Sequence, residues 1–161
     1  GKPMGNGYPV AGIALRPELA SRFGYDMRYF NTFGGNTVAM AAANATLEVV
    51  QSENLMANAN QVGAIMLSGL RDLMQQDERI GDVRGTGLYL GVEMVKDRET
   101  RAPNGPLALA LVNEMRRRRV LISATSYNAN VLKVRPPLIF TAANADQFLT
   151  ELKAALKTVR T

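Results

Sequence analysis

Four side chains in this sequence have types and settings suited to chemistry: Lys2, Thr32, Lys133 and Arg135. Lys2 is followed at once by Pro3-Met4-Gly5-Asn6-Gly7-Tyr8-Pro9. Gly5 and Gly7 admit backbone angles that side chains forbid, and Asn6 tolerates the left-handed region. Pro3 and Pro9 fix φ on either side and donate no amide. The stretch predicts a rigid bend with a primary amine at its entrance. Such a lysine reads in two ways. It is an ordinary loop lysine, or its neutral amine attacks a carbonyl cofactor to form a Schiff base. Thr32 stands in Tyr29-Phe30-Asn31-Thr32-Phe33-Gly34-Gly35-Asn36, ahead of a helical pattern. A hydroxyl beside freely oriented amides at a helix start can hold a phosphate. The plainer alternative is a turn residue bonded to its own backbone. Lys133 and Arg135 alternate on a short apolar strand stopped by Pro136-Pro137, so they share one face.

What the chain lacks excludes other chemistries. It has 161 residues, no cysteine and no histidine. Disulfides, thiolate nucleophiles, Ser-His-Asp catalysis and histidine-ligated zinc therefore have no place within it. No acidic cluster of the kind that holds magnesium is visible, so no metal is expected. Hydrophobic residues make up 47% and charged residues 20%, a balance that supports a core and argues against disorder. Arg116 to Arg119 account for most of the net charge of +5. They end a helical pattern without interleaved aromatics and read as a solvated helix end, not a nucleic-acid surface. No stretch approaches the about 20 apolar residues of a membrane span, and the opening residues carry no secretory pattern.

The elements that must position these residues follow from periodicity. Residues 10–15 are an apolar run of strand length, which would set Lys2 at a sheet edge. Residues 17–23 form a short helix opened by Pro17 and closed by Gly24. Residues 25–33 are extended or loop. Val38, Ala41, Ala42, Ala45 and Val49 then mark an apolar, alanine-rich helical face. A second helix over residues 52–76 carries the stripe Leu55, Ala59, Val62, Met66, Leu70 and Leu73. Whether it bends at residues 51–54 or continues the previous helix stays open. Residues 80–87 read as a glycine-punctuated entry to a strand. They lack the lysine of a phosphate loop; Gly85 and Gly87 mark a bulge or a close backbone contact. Leu88, Leu90, Val92 and Met94 alternate as a half-buried strand should. A helix over 107–118, a strand over 120–123, a turn over 127–130 and a strand over 131–135 follow. Thr141 caps a last helix with the stripe Ala145, Phe148, Leu149, Leu152, Leu156 and Val159. From residue 80 on, three strands with helices on one face make an α+β layer. The first fifty residues do not complete a core of their own.

The lysine with its Gly-Asn-Gly turn and proline, and the Thr-Phe-Gly-Gly-Asn segment some thirty residues later, resemble the class III (subgroup II) pyridoxal-phosphate-dependent aminotransferases. The likeness is strongest to the branch of ethanolamine-phosphate phospho-lyases and alanine–glyoxylate-type enzymes. It covers the whole chain, but matches only the C-terminal part of such enzymes. The resemblance implies an α/β fold-type-I enzyme. Residues 1–50 would be the end of its large cofactor-binding domain, and residues 51–161 a small α+β domain with a short sheet containing antiparallel pairs. It implies pyridoxal 5′-phosphate as cofactor, Lys2 as its Schiff-base lysine and catalytic group, and Thr32 as a ligand of the cofactor phosphate across a homodimer. It implies amine or amino-acid and keto-acid substrates, with amino transfer or phosphate elimination as the reaction, and a cytoplasmic setting without nucleic acid or membrane. The family commonly places an arginine three residues before Pro-Pro to pair with the substrate carboxylate. Here that position is Lys133, with Arg135 next to Pro136, so either is the expected substrate-binding cation. A lysine there offers a point charge in place of a two-pronged grip, which leaves room for a phosphorylated or otherwise anionic amine. The fragment alone is expected not to transaminate, because the family's pyridine-nitrogen aspartate and ring-stacking aromatic precede the lysine.

Overall fold

A computed structural model describes residue 1 and residues 3–159. The chain divides into two compact units, Gly1–Asn54 and Leu55–Thr161.

The first unit is built from turns and two helices. Backbone bonds from Met4 to Gly1, Asn6 to Pro3 and Tyr8 to Gly5 wind three successive turns. Asn6 and Gly7 take positive φ, and a Cβ at Gly5 would lie 2.4 Å from the Tyr8 carbonyl oxygen. The bend read from the glycines is therefore present, although Lys2 itself lies outside the described residues. Residues 10–15 form no strand: strand pairing needs a neighbour, and the described part of this unit contains none. Helix α1 (Pro17–Asp26) runs through Gly24 and takes in Tyr25 and Asp26. Glycine is permitted in a helix at a cost of about 1 kcal/mol, and here it does not terminate one. Helix α2 (Thr37–Ser52) starts at Asn36, whose side chain accepts the Ala39 amide. Its expected apolar face is not the covered one. Val38 and Val49 are exposed, while Ala39, Ala42, Ala43, Thr46 and Val50, one residue around the helix, are buried or half-buried. Ala39 is the one buried hydrophobic residue described in this unit. The helix ends at Ser52, and Asn54 takes φ 52°, so the break left open in the sequence is real.

The second unit has its core between a sheet and three helices. Helix α3 (Leu55–Gln76) buries Leu55, Val62, Gly63, Met66, Leu70 and Leu73, close to the predicted stripe. Strands β1 (Ile80–Thr86) and β2 (Tyr89–Met94) form a hairpin, so the glycine-rich entry is itself a strand. Gly85, Gly87 and the polar residues between obscured it, because only one of its faces is apolar. Helix α4 (Gly105–Arg117) is followed by β3 (Ser123–Thr125), β4 (Val131–Val134) and α5 (Ala142–Thr158). Strand β3 begins where the expected strand ended. Val120 and Ile122 pack on the core from an unpaired stretch. The sheet has four strands, not three, in the order β1-β2-β4-β3, with every neighbouring pair antiparallel. Leu90, Val92, Leu132 and Val134 face the helices and join Met66, Leu111, Met115 and Leu152 in one cluster. Thr141 and Asn144 close a reciprocal capping box at the start of α5.

Two features lock this unit. Gly63 on α3 meets the β1–β2 turn backbone to backbone; a Cβ there would lie 2.1 Å from the Gly87 carbonyl oxygen. The glycine pair thus marks a close approach, and the one irregularity in the hairpin register sits between Ile80 and Asp82 instead. At the far end, Arg79 donates to the Leu156 and Val159 carbonyls at 2.6 and 2.7 Å, satisfying the C-terminus of α5. Asp77 braces Arg79 by two side-chain bonds of 2.9 and 2.6 Å. Burial alone would raise the Asp77 carboxyl. The Arg79 hydrogen bonds and the charges of Arg79 and Arg98 outweigh it and hold the group below its usual 3.8.

A Gly63→Val chain should lose about 2 to 3 kcal/mol in urea unfolding, the range of overpacking against an unyielding neighbour. Asp77 is depressed in the folded state, so its contribution is full above the ordinary carboxylate value and fades as pH falls through the lowered one. Asp77→Asn should therefore be less stable than the parent chain at pH 7. The difference should close as both are acidified through that lowered value in the same assay.

Candidate functional site

In the first unit the candidate region is the turn that carries Thr32. Asn31 Oδ1 accepts the Phe33 amide at 3.2 Å, and Asn31 Nδ2 donates to the Tyr29 hydroxyl at 3.1 Å. Asn36 Nδ2 donates to the Phe33 carbonyl at 2.8 Å. Backbone bonds from Gly34 to Asn31 and Asn36 to Phe33 complete two linked turns, with Gly35 at φ 71°. The two asparagines hold the loop from both ends, and Thr32 stands exposed between them. Among the described residues its hydroxyl makes no hydrogen bond, so the self-bonded turn residue is not what is found. Helix α2 starts five residues later, and Asn36 satisfies only one of its first amides. A free hydroxyl, loop amides and a helix N-terminus in succession suit a phosphate. The residues present in this unit fit pyridoxal phosphate.

In the second unit, β4 sets the second pair of candidates. Leu132 and Val134 are in the core, so Lys133 projects to the opposite, open face of the sheet. The register lines up Arg84, Gly91, Lys133 and Ser123 in one row across four strands. Arg84 is neutralised there by Asp82 and Glu93. The hydrogen bond to Asp82, then that to Glu93, raises its guanidinium above its ordinary value and keeps it charged. Lys133 forms no ion pair among the described residues. Gly91 beside it carries no side chain to crowd the amine, and a Cβ there would press on Val131 at 3.3 Å. Arg135 follows the strand end and borders an open cleft of about 520 Å³, which Met66, Val134 and Phe148 line from the helix side; Lys133 stands at the edge of that cleft and also borders the pocket on the open face with Arg84 and Gly91. Asn58 of α3 holds the chain beyond Pro136-Pro137 by donating to the Leu138 and Phe140 carbonyls at 2.7 and 3.0 Å. That anchor was not legible in the sequence, because the bond spans some eighty residues and asparagine on a helix announces no partner.

With this geometry in hand, comparison with known proteins is specific. The family model of class-III aminotransferases matches residues 1–156. The chain belongs to the class-III aminotransferase family. An ethanolamine-phosphate phospho-lyase homolog of Caenorhabditis elegans is 44% identical over 97% of the chain and 34% of that protein. An alanine–glyoxylate aminotransferase 2-like protein of Drosophila melanogaster is also 44% identical, over 98% of the chain and 32% of the relative. Among solved structures, a phospholyase from Arthrobacter in complex with phosphoethanolamine aligns with a TM-score of 0.93 at 40% identity, over 99% of this chain and 38% of its own. An amine transaminase from an uncultivated Pseudomonas species in its PLP-bound form aligns at 0.76 with 33% identity, over 84% of this chain and 31% of its own. The chain spans about a third of the length of these relatives. Family membership implies pyridoxal phosphate as the cofactor, and the α+β reading of the second unit stands. Among the described residues no helix is long and apolar enough to cross a membrane, and no cluster of His, Cys, Asp and Glu could hold a metal.

Replacing Asn58 with alanine removes two donors to the segment behind the cleft. It should cost about 1 to 2 kcal/mol in denaturant unfolding. It should also speed amide exchange in the turn at residues 137–140, where Phe140 donates to Pro137.

Proposed function

We propose that this chain is the C-terminal portion of a pyridoxal-phosphate enzyme that moves an amino group from an amine or amino acid to a keto acid. Residues 1–50 would close its cofactor-binding domain and residues 51–161 form its small domain. The observation that carries the reading is the Thr32 loop, a braced turn offering an unengaged hydroxyl at the start of α2. Lys2 is the proposed Schiff-base lysine, and Thr32 the proposed ligand of the cofactor phosphate, supplied to the partner's site in a homodimer. When bound, the cofactor supplies a carbonyl for amines and a ring that accepts the electron pair from a broken bond.

The chain's own residues do the rest. Lys2 Nζ, in its neutral form, would take the proton from the substrate Cα and deliver it to the carbon that was the cofactor's carbonyl. No histidine is required for that transfer. Thr32 Oγ1 and the amides around Gly34-Gly35 hold the phosphate and so fix where the reacting carbon lies. Lys133 and Arg135 hold the anionic end of the substrate. A second reading, elimination of phosphate from a phosphorylated amine, is favoured by Lys133. An ammonium is a point charge that suits a compact anion from any side, whereas a carboxylate is best gripped by the two-pronged guanidinium.

Borohydride reduction of the intact protein after incubation with pyridoxal phosphate should label Lys2 ahead of every other lysine on peptide mapping. Weak, even labelling would instead mark a non-catalytic α+β module. With the enzyme established, products divide the two reactions. Amino transfer yields a new keto acid; elimination releases inorganic phosphate from ethanolamine phosphate.

A further inference from the structure

The sequence holds two Asn-Gly pairs, Asn6-Gly7 and Asn104-Gly105. In such a pair the backbone nitrogen of the glycine can close a cyclic imide on the side-chain carbonyl carbon of the asparagine, and no Cβ on the glycine shields it. Both reactants sit on one chain, so the reaction needs no encounter. Its rate follows how freely the pair can reach the ring-closing geometry. The structure gives the two pairs opposite settings.

Asn104 is held. Its side-chain oxygen caps α4 by accepting the Leu107 amide at 3.2 Å, and its own amide donates to the Met94 carbonyl at 3.0 Å. Gly105 is packed as well, since a Cβ there would lie 2.4 Å from the Asn128 carbonyl oxygen. Turning this carboxamide onto the Gly105 nitrogen would uncap the helix and drive the backbone against Asn128. Asn6 has none of these restraints. It is exposed, and among the described residues its carboxamide makes no hydrogen bond. Gly7 is exposed at φ 111°, and its amide is unused, although the Asn6 and Tyr8 amides on either side each donate at 3.0 Å. A Cβ at Gly7 would meet nothing within 4 Å. Of residues 3–9 only Gly5 is buried, so local hydrogen bonds alone hold the turn, and order of that kind opens readily.

We propose that Asn6 is a site of spontaneous deamidation and that Asn104 is protected from it. A base removes the Gly7 amide proton, and that nitrogen bonds to Asn6 Cγ. The bond from Cγ to Nδ2 breaks, and the departing nitrogen takes the proton back to leave as ammonia. Water then opens the imide at one of its two carbonyls. Opening at the side-chain carbonyl leaves an aspartate; opening at the main-chain carbonyl leaves an isoaspartate, whose chain runs on through Cγ. Either way one water is consumed, one ammonia is released and a neutral amide becomes a carboxylate. An isoaspartate also lengthens the main chain inside the turn that the Tyr8 amide closes on the Gly5 carbonyl, so that turn is lost. The inference goes beyond the proposed function and needs neither cofactor nor substrate.

The test is peptide mapping by mass spectrometry of the folded 161-residue chain after incubation in mildly alkaline and in mildly acidic buffer. The peptide holding Asn6 should gain the mass of an amide-to-acid exchange and become a substrate for an isoaspartate-specific methyltransferase. The conversion should run faster in the alkaline buffer, because the Gly7 nitrogen must lose its proton. Asn104 should convert about tenfold more slowly, and the two rates should converge in urea, where the α4 cap is gone. Amide exchange at Tyr8 should quicken in the aged chain. Asn6→Gln, whose longer side chain closes a ring far less readily, should stop the conversion in that peptide. Asn6 left intact in the folded chain while it converts in urea would mean that the turn protects it, and would overturn the proposal. Equal rates at Asn6 and Asn104 in the folded chain would overturn the protection assigned to the α4 cap.

Discussion

The alternation of β4 is the constraint on which the placement of Lys133 in the second unit depends. Leu132 and Val134 are drawn into the cluster beneath the helices, and a strand whose side chains alternate can do only one thing with the residue between them. Lys133 is placed on the open face by the burial of its neighbours, not by any bond of its own. The same logic fixes register. A slip by one residue would bury the amine and expose two aliphatic side chains, costing several kcal/mol. The helices, the capping box of α5 and the Asn58 anchor all serve to keep that strand and the prolines after it in one position.

The first unit is organised on a different basis. It has almost no buried hydrophobic side chain, and its order comes from local hydrogen bonds: stacked turns after Lys2, two asparagines bracing the Thr32 loop, and a capped α2. Tyr25, Tyr29, Phe30 and Phe33 remain exposed. Turn chemistry of this sort is specified by glycine, asparagine and proline at particular positions, so it survives without a core. It also suits a phosphate, whose oxygens want donors, not apolar walls.

What could be read from the sequence follows the same division. The helical stripes of α3 and α5 and the alternation of β2 came through because burial repeats along one element and writes itself into residue type. Strand β1 did not, since its exposed face is charged and its end glycine-rich. Residues 10–15 misled for the opposite reason: apolar composition permits a strand, but only a neighbouring strand makes one. The covered face of α2 was missed by one residue because an alanine-rich helix offers little contrast between its sides. Lys133 and Arg135 could be paired from their spacing alone. The Asn58 anchor required knowing that the start of α3 lies beside residues 138–140, a matter of distant chain segments that no local pattern records.

Gly91 gives the open face a property of its own. It sits beside Lys133 in the cross-strand row, where a methyl group would meet the buried Val131 at 3.3 Å. Packing and access are therefore joined at that position: any side chain gained there must push Val131 aside and at the same time crowd the space next to the amine.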